Sequence, residues 1–392
     1  MNANRSERKR RVTFLVTEDW YFCSHRIGLA RFARDAGYEV CVGTRIGSRR
    51  AELEAEGFAL VDIPFERSLR HPLRDFQAYR AIRRLLSDLP PDIVHLVSLK
   101  PILLGGCALN GDRDTPSISA FTGLGYLFSS AAPLARCLKP VVGRLLRRLL
   151  SRPGSWILAQ NTDDLALLRA HGIDADGRSK LIRGSGVDLD EYRPQPALEE
   201  TPPIVLLPAR ILADKGVNEF VEAARVLRER GVAARFVLAG AHDPDNPGAV
   251  DRASLKRWLD EGVVEWWGHC RNMPEVYARS ALVCLPSYRE GLPRCLLEGA
   301  ACARPLIATD VPGCREICVD RQTGLVVPVR DAPALSQAIE KLLADPELRR
   351  RYAQNARDLV ARDFSLERVA RETLEFYDEI LDATFSNASR SG

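Results

Sequence analysis

Residues 281–298 read ALVCLPSYREGLPRCLLE, and the rest of the chain is arranged around them. The run from Ala281 to Leu285 is short and apolar and is ended by Pro286, the pattern of a strand buried on both faces of a parallel sheet. A polar turn follows, Ser287-Tyr288-Arg289-Glu290-Gly291-Leu292. Pro293 then stands where the first helical position is expected, a place that tolerates a missing N–H. Strand, glycine-bearing turn and helix start aim backbone N–H groups at one spot, which suits a bound phosphate. Glu290 and Glu298 would repel that phosphate. They can instead accept hydrogen bonds from hydroxyls beside it, such as those of a sugar or a ribose. Phosphate next to polyhydroxylated groups describes a sugar nucleotide.

Upstream, residues 195–203 are rich in Pro, Glu and Thr and read as a linker. The apolar run at 204–207 opens a fresh series of alternating strands and helices. Its first loop, 208–216, reads PARILADKG and leads into a helix with Val217, Phe220, Val221, Ala224 and Leu227 on one face. Arg210 and Lys215 flank this strand-to-helix turn, where two cations and a helix N-terminus would grip a diphosphate. Taken alone, they can also be read, less readily, as two exposed surface cations. Beside Glu290 and Glu298 the diphosphate reading gains, because both loops fall at the carboxyl edge of what should be one sheet, where such folds bind ligands. Residues 309–316 form another loop at such an edge, and 363–385 form a closing helical stretch long enough to brace the first domain.

The first half alternates in the same way, with strands near 11–17, 38–43, 59–63, 92–97, 117–121 and 155–160 and helices between them. Three loops there fall at carboxyl edges: 18–25, 98–101 and 122–126. In the first, His25 and Arg26 either face an anionic acceptor or donor phosphate at the mouth of a cleft, or are a cap-region side chain and a solvated helix residue. In the third, Thr122 and Gly123 begin a Thr-Gly-Leu-Gly turn whose glycines let the backbone approach a ligand or simply turn tightly. His95, inside an apolar run, reads as a satisfied core histidine.

The 392 residues suit two α/β domains, and a content of 46% hydrophobic and 28% charged residues suits a globular chain. A net charge of +4 is too mild for a nucleic-acid partner, and no ladder of basic and aromatic residues appears. The ten cysteines are scattered without metal-site spacing, which reads as reduced, buried thiols. No apolar run approaches the roughly 20 residues of a spanning helix. The basic start leads only into the short run 12–16, a strand rather than a signal-peptide core. The expected location is therefore the cytoplasm. Residues 140–152, PVVGRLLRRLLSR, put Val141, Val142, Leu145, Leu146, Leu149 and Leu150 on one half of a helical wheel. Arg144, Arg147 and Arg148 occupy the other half, with Arg136 and Lys139 just upstream. This basic amphipathic pattern predicts contact with anionic lipid of an inner leaflet; an ordinary sheet-covering helix with a wet basic face is the alternative.

With these residues in view, the chain resembles the retaining GT-B glycosyltransferases of family 4. Glu290 and Glu298 match that family's E-x7-E pair, and Arg210 and Lys215 match its diphosphate-holding Arg and Lys. Gly186-Val187-Asp188 resembles the loop that closes the first domain, and Val311-Pro312-Gly313 resembles a late donor-site turn. Residues 242–247, 122–125 and 140–152 are similar to a branch acting on lipid-linked sugars for surface polysaccharide or glycan assembly. The resemblance implies an α/β protein of two Rossmann-like parallel-sheet domains facing across a cleft. Residues 1–197 would bind the acceptor, 198–364 the nucleotide sugar, and the helix 365–385 would pack back on the first domain. Glu298 would hold the ribose hydroxyls, and Glu290, with Gly291 and Leu292, the transferred sugar.

Two departures stand out: the first loop is not rich in glycine, and Thr122 stands where many members carry a histidine near the reacting carbon. Asp188-Leu189-Asp190 has D-x-D form but resembles a structural loop, and no metal or other cofactor is expected. The implied activity is transfer from a nucleotide-diphosphate sugar, UDP-linked, to a polyprenyl-diphosphate-linked saccharide by an enzyme peripheral on the cytoplasmic face of the membrane. A transferase with a soluble acceptor and a catalytically silent sugar-nucleotide-binding partner are the alternatives. A dehydrogenase is excluded, because no G-x-G-x-x-G follows the first strand of either domain.

Overall fold

The computed structural model describes residues 8–66, 71–112, 114–122, 133–173, 177–195, 201–244 and 246–388. The chain forms two units, Met1–Gly186 with Leu366–Gly392, and Val187–Ser365. In the first unit the strands are β1 (Arg11–Glu18), β2 (Glu39–Arg45), β3 (Ala59–Asp62), β4 (Ile93–Val97), β5 (Ser117–Phe121), β6 (Ser155–Ala159) and β7 (Ser179–Leu181). They pair in parallel in the order β3-β2-β1-β4-β5-β6-β7. Its helices are α1 (Asp19–His25), α2 (Ile27–Asp35), α3 (Arg50–Ala55), α4 (Pro72–Asp88), α5 (Leu99–Ala108), α6 (Pro133–Leu150) and α7 (Thr162–Ala170). Buried on both faces, β4 alternates between two cores: Ile93 and Val97 face one, Val94 and Leu96 the other. The first core is closed by α1, α2 and α3; the second by α4, α5 and α6, through Ala78, Ile82, Ile102, Val142 and Leu146.

The second unit repeats the plan. Its strands β8 (Ile204–Leu207), β9 (Arg235–Ala239), β10 (Glu265–Gly268), β11 (Ser280–Leu285), β12 (Leu306–Thr309) and β13 (Gly324–Val327) pair in parallel in the order β10-β9-β8-β11-β12-β13. Its helices are α8 (Val217–Glu229), α9 (Arg252–Asp260), α10 (Met273–Arg279), α11 (Arg294–Ala301), α12 (Pro312–Arg315), α13 (Ala332–Ala344) and α14 (Pro346–Asp363). Asp251, Asp331 and Asp345 start three of these helices by accepting the N–H of Ser254, Ala334 and Leu348. The last helix, α15 (Leu366–Ala388), returns to the first unit, where Val369, Ala370, Phe376, Tyr377, Ile380 and Leu381 complete the core beneath α2. Gly28 of α2 lies so close to this helix that a Cβ there would sit 2.7 Å from Leu366.

Four readings of the sequence are corrected. The chain enters the second unit at Val187, ahead of the proline-rich stretch at 195–203. Composition marks exposed chain, whereas pairing decides the boundary: the Val187 N–H donates to the Phe364 carbonyl at 3.0 Å, and Arg357 donates to the carbonyls of Tyr192 and Ala301 at 3.1 and 2.7 Å. Residues 19–25 form helix α1 rather than a loop. Pro293 is the N-cap of α11, one place ahead of the first helical position. In α6, Val142, Leu146, Leu149 and Leu150 are buried against the second core, so most of the apolar half of that wheel faces protein, while Val141 is exposed. Its arginines at 144, 147 and 148 are exposed. The side chains of Arg136 and Lys139 lie outside the described residues. Among the described residues, no helix is long and apolar enough to cross a membrane.

Candidate functional site

In the second unit the strand order reverses between β8 and β11: the chain proceeds from β8 outward to β10 on one side and from β11 outward to β13 on the other. A crevice opens at such a reversal, beyond the carboxyl ends of the strands. The loops after β8, β11 and β12 meet there. Gly216 ends the first of them with φ +72°, the left-handed conformation that a residue without Cβ adopts freely. It is also jammed against the second loop, since a Cβ would lie 2.0 Å from the Pro286 carbonyl oxygen. The Tyr288 N–H donates to the Asp214 carbonyl at 2.8 Å, and the Ser287 hydroxyl oxygen lies 3.0 Å from the same carbonyl oxygen. The Thr309 hydroxyl donates to the Ser287 carbonyl, and a Cβ on Gly313 would meet the Gly291 carbonyl oxygen at 2.2 Å. Tyr288 is clamped further: its hydroxyl donates to Glu219 at 2.7 Å, and the Arg330 guanidinium lies 4.6 Å above its ring.

Inside this knot the Lys215 Nζ lies 2.5 Å from the Glu290 Oε1, which also accepts the Ser287 hydroxyl at 2.7 Å. Burial pulls the Lys215 ammonium towards losing its proton, but the charge and hydrogen bond of Glu290 outweigh it, so its pKa is raised. Glu298 is buried on α11, with Oε1 accepting from the Arg294 Nε at 2.6 Å and Oε2 from the Tyr277 hydroxyl at 3.0 Å. Burial, and then the Glu298 charge, push the Tyr277 hydroxyl well up. The Cys295 thiol is likewise pushed up, by burial and then by Glu290, and it feels Lys215 and Glu298 as well.

Lys215 and Glu290 are therefore brought together, and Glu298 stands on α11, the helix that follows their turn. Arg210 is not among them: it leaves the same edge of β8 but binds Asp243 through Nη1 at 3.0 Å, with its guanidinium half-exposed. Gly291 and Leu292 line the turn, Leu292 packed on the core below. Ser287, Tyr288, Tyr277 and Arg294 were not legible as site residues. Of these only Arg294 carried a signal, its i,i+4 spacing to Glu298.

In the first unit the order reverses between β1 and β4. The His25 ring stacks on Tyr21 with centroids 4.1 Å apart and its Nδ1 meets the Ser24 hydroxyl at 2.6 Å. Arg26 overturns the reading of a solvated helix residue, because it is only 3% exposed. Among the described residues its Nε and Nη2 have no hydrogen-bond partner, and burial lowers its pKa despite Tyr21 and Tyr377 nearby. Thr122 is positioned by the Ser98 hydroxyl at 2.9 Å; Ser98 itself holds φ +73°, a costly conformation for a residue with a side chain, where α5 begins. Gly123 lies outside the described residues.

The comparisons with known proteins agree with this architecture. The family model described as "Glycosyl transferases group 1" matches residues 188–359, and "Glycosyl transferase 4-like" matches residues 11–152. The chain belongs to the GT-B glycosyltransferases of family 4. The enzyme is 28% identical over 390 residues to the glycosyltransferase EpsD of Bacillus subtilis, covering 95% of this chain and 97% of that protein. It is 26% identical over 384 residues to the N,N'-diacetylbacillosaminyl-diphospho-undecaprenol alpha-1,3-N-acetylgalactosaminyltransferase of Campylobacter jejuni, covering 95% and 99%. Among solved structures, a sucrose-phosphate synthase from Thermosynechococcus elongatus superposes with a TM-score of 0.80 at 20% identity, covering 96% of this chain and 100% of the other. HepE of Anabaena, in complex with UDP and glucose, gives 0.74 at 18% identity, covering 94% and 100%. At such identities the glycosyltransferase shares the fold with these two structures.

Proposed function

We propose that this glycosyltransferase moves a sugar from a nucleotide-diphosphate sugar, UDP-linked, to a polyprenyl-diphosphate-linked saccharide in surface polysaccharide or glycan assembly, with retention at the anomeric carbon. The observation that carries the donor half is the Lys215–Glu290 contact of 2.5 Å at the reversal between β8 and β11, with buried Glu298 close by. Lys215 and the start of α8 present positive charge where a diphosphate would leave, and Arg210, once swung from Asp243, adds to it. The bond from the anomeric carbon to the diphosphate breaks with its electron pair going to the diphosphate, and the acceptor hydroxyl oxygen bonds to that carbon from the same face, its proton passing to the departing diphosphate oxygen. Glu290 holds the hydroxyls of the transferred sugar, and Glu298, steadied by Arg294 and Tyr277, those of the ribose. The lipid-linked acceptor is supported by the printed name of the Campylobacter relative, which spans nearly the whole chain. The exposed arginine face of α6 supports a location on the cytoplasmic face of the membrane, held by inner-leaflet anionic lipid at about 1 kcal/mol per basic residue.

The test is Lys215→Ala. Loss of a charge aimed at the leaving group should cut turnover by about 10²–10³-fold with the far-UV circular dichroism unchanged. Normal turnover would sink the diphosphate role, and a product of inverted anomeric configuration by NMR would sink retention.

A further inference from the structure

The first unit carries an apolar feature that neither its core nor its site explains. At the start of α4, Leu73 is 79% and Phe76 58% exposed, one helical turn apart, while Ala78, Ile82 and Leu85 of the same helix are buried. Large apolar side chains side by side on the outside of a helix mark a surface that meets something apolar. The charges around them say what. Arg80, Arg83 and Arg84 are exposed along α4, as is Arg74, which pairs with Glu66 at 3.1 Å. Of the helix's two acids, Asp75 is bound to Lys100 at 2.6 Å. Helix α6 lies on the same side of the sheet, sharing a core with α4 and α5, and turns outward Val141, 60% exposed, with Arg144, Arg147 and Arg148. The outer surface of this layer is therefore cationic, with apolar side chains standing out of it.

Its placement matters as much as its chemistry. The Lys100–Asp75 pair ties the first turn of α5 to the first turn of α4, so Leu73 and Phe76 stand beside the start of α5. That is the carboxyl edge of the sheet, where Ser98 positions Thr122.

We propose that Leu73 and Phe76 are an anchor that inserts into an anionic lipid bilayer, with the arginines of α4 and α6 lying over its headgroups. The geometry sets the carboxyl edge of the first unit against the bilayer surface, within reach of a sugar carried on a lipid diphosphate. The anchor rests on the lipid-linked-acceptor reading above and adds to it the contact that brings enzyme and acceptor together.

Flotation of the full chain with phosphatidylcholine vesicles, with and without phosphatidylglycerol, tests it. The wild-type enzyme should float only with phosphatidylglycerol. The double variant Leu73→Ser/Phe76→Ser should lose about a hundredfold in vesicle affinity, roughly tenfold per side chain withdrawn from the apolar phase. Both residues are exposed, so folding should be unaffected, and transfer to a detergent-dispersed acceptor should persist. Phe76→Trp should add a blue-shifted emission, relative to wild type, that bromine-labelled acyl chains quench. Wild-type-like flotation of the double variant, or an added indole emission untouched by brominated lipid while the Phe76→Trp variant is bound, would overturn the anchor and leave the acceptor reading standing. A concentration-dependent dimer in sedimentation velocity that the double variant abolishes would also overturn it, in favour of a second copy. No flotation at all, with full transfer to a free saccharide, would instead remove the lipid-linked acceptor and the anchor with it.

Discussion

Burial works against the Lys215 ammonium, and Glu290, 2.5 Å away, outweighs it. Removing that carboxylate leaves an ammonium inside the knot of loops without its partner. Glu290→Gln should therefore lower stability by about 2 kcal/mol in urea titrations, besides impairing donor use. Gly216→Ala meets a harder obstacle, a carbonyl oxygen 2.0 Å from the new carbon in a left-handed backbone. It should cost about 1–2 kcal/mol for the backbone conformation alone, and its donor KM should rise as the loop is displaced. His95 behaves differently. Burial first, and the Arg26 charge second, hold its ring deprotonated well below the usual value of 6.5. In the unfolded chain the ring takes up a proton as pH falls through about 6.5, so the unfolded state binds more protons and acid destabilises the fold. Thermal midpoints should drop between about pH 7 and about pH 5, and His95→Gln should flatten that slope.

Among the elements, α15 shows most plainly how a segment distant in sequence completes a core. Phe376, Tyr377, Ile380 and Leu381 fall on one face at helical spacing and are all buried. Tyr377 also meets the His95 Nδ1 at 2.6 Å through its hydroxyl and stands edge-on to Tyr38. Tyr377→Ala should cost about 3–5 kcal/mol, read as a lowered urea midpoint, since it opens a cavity and removes the ring's hydroxyl from the histidine. The closing stretch at 363–385 was legible as an amphipathic helix, because its apolar spacing is a property of the segment itself. Helix α6 teaches the converse. Its wheel divides cleanly into apolar and basic halves, yet that division is identical for a helix on a bilayer and a helix on a sheet. Only the core beneath Val142 and Leu146 distinguishes them.

At the scale of the whole chain, two parallel sheets are each covered by helices, and the proposed donor site lies at the reversal of strand order in the second. Donor binding should therefore act locally. Saturating UDP-sugar should raise the thermal midpoint by mass action, about 2.7 kcal/mol at a hundredfold excess over Kd. It should slow amide exchange in residues 208–216 and 286–298, with exchange in α15 unchanged. Equal protection along the entire chain would contradict a site confined to the second unit's loops.

Fold class was determined by the sequence, because short apolar runs alternating with 3.6-residue periodicity admit little besides parallel sheets under helices, and such sheets bind at one edge. The placement of Lys215 and Glu290 was legible for the same reason: each stands in the loop after an apolar run and so inherits that edge, and Glu298 follows on the helix after the second of these loops. The remainder was decided by tertiary structure. Arg26 stands in the same kind of position and is buried, because α15 arrives from the far end of the chain to cover its surroundings. Arg210 turns to Asp243, and Tyr277 reaches Glu298 from another helix. Position along a strand follows from local pattern, but which way a side chain turns depends on partners that local pattern does not name.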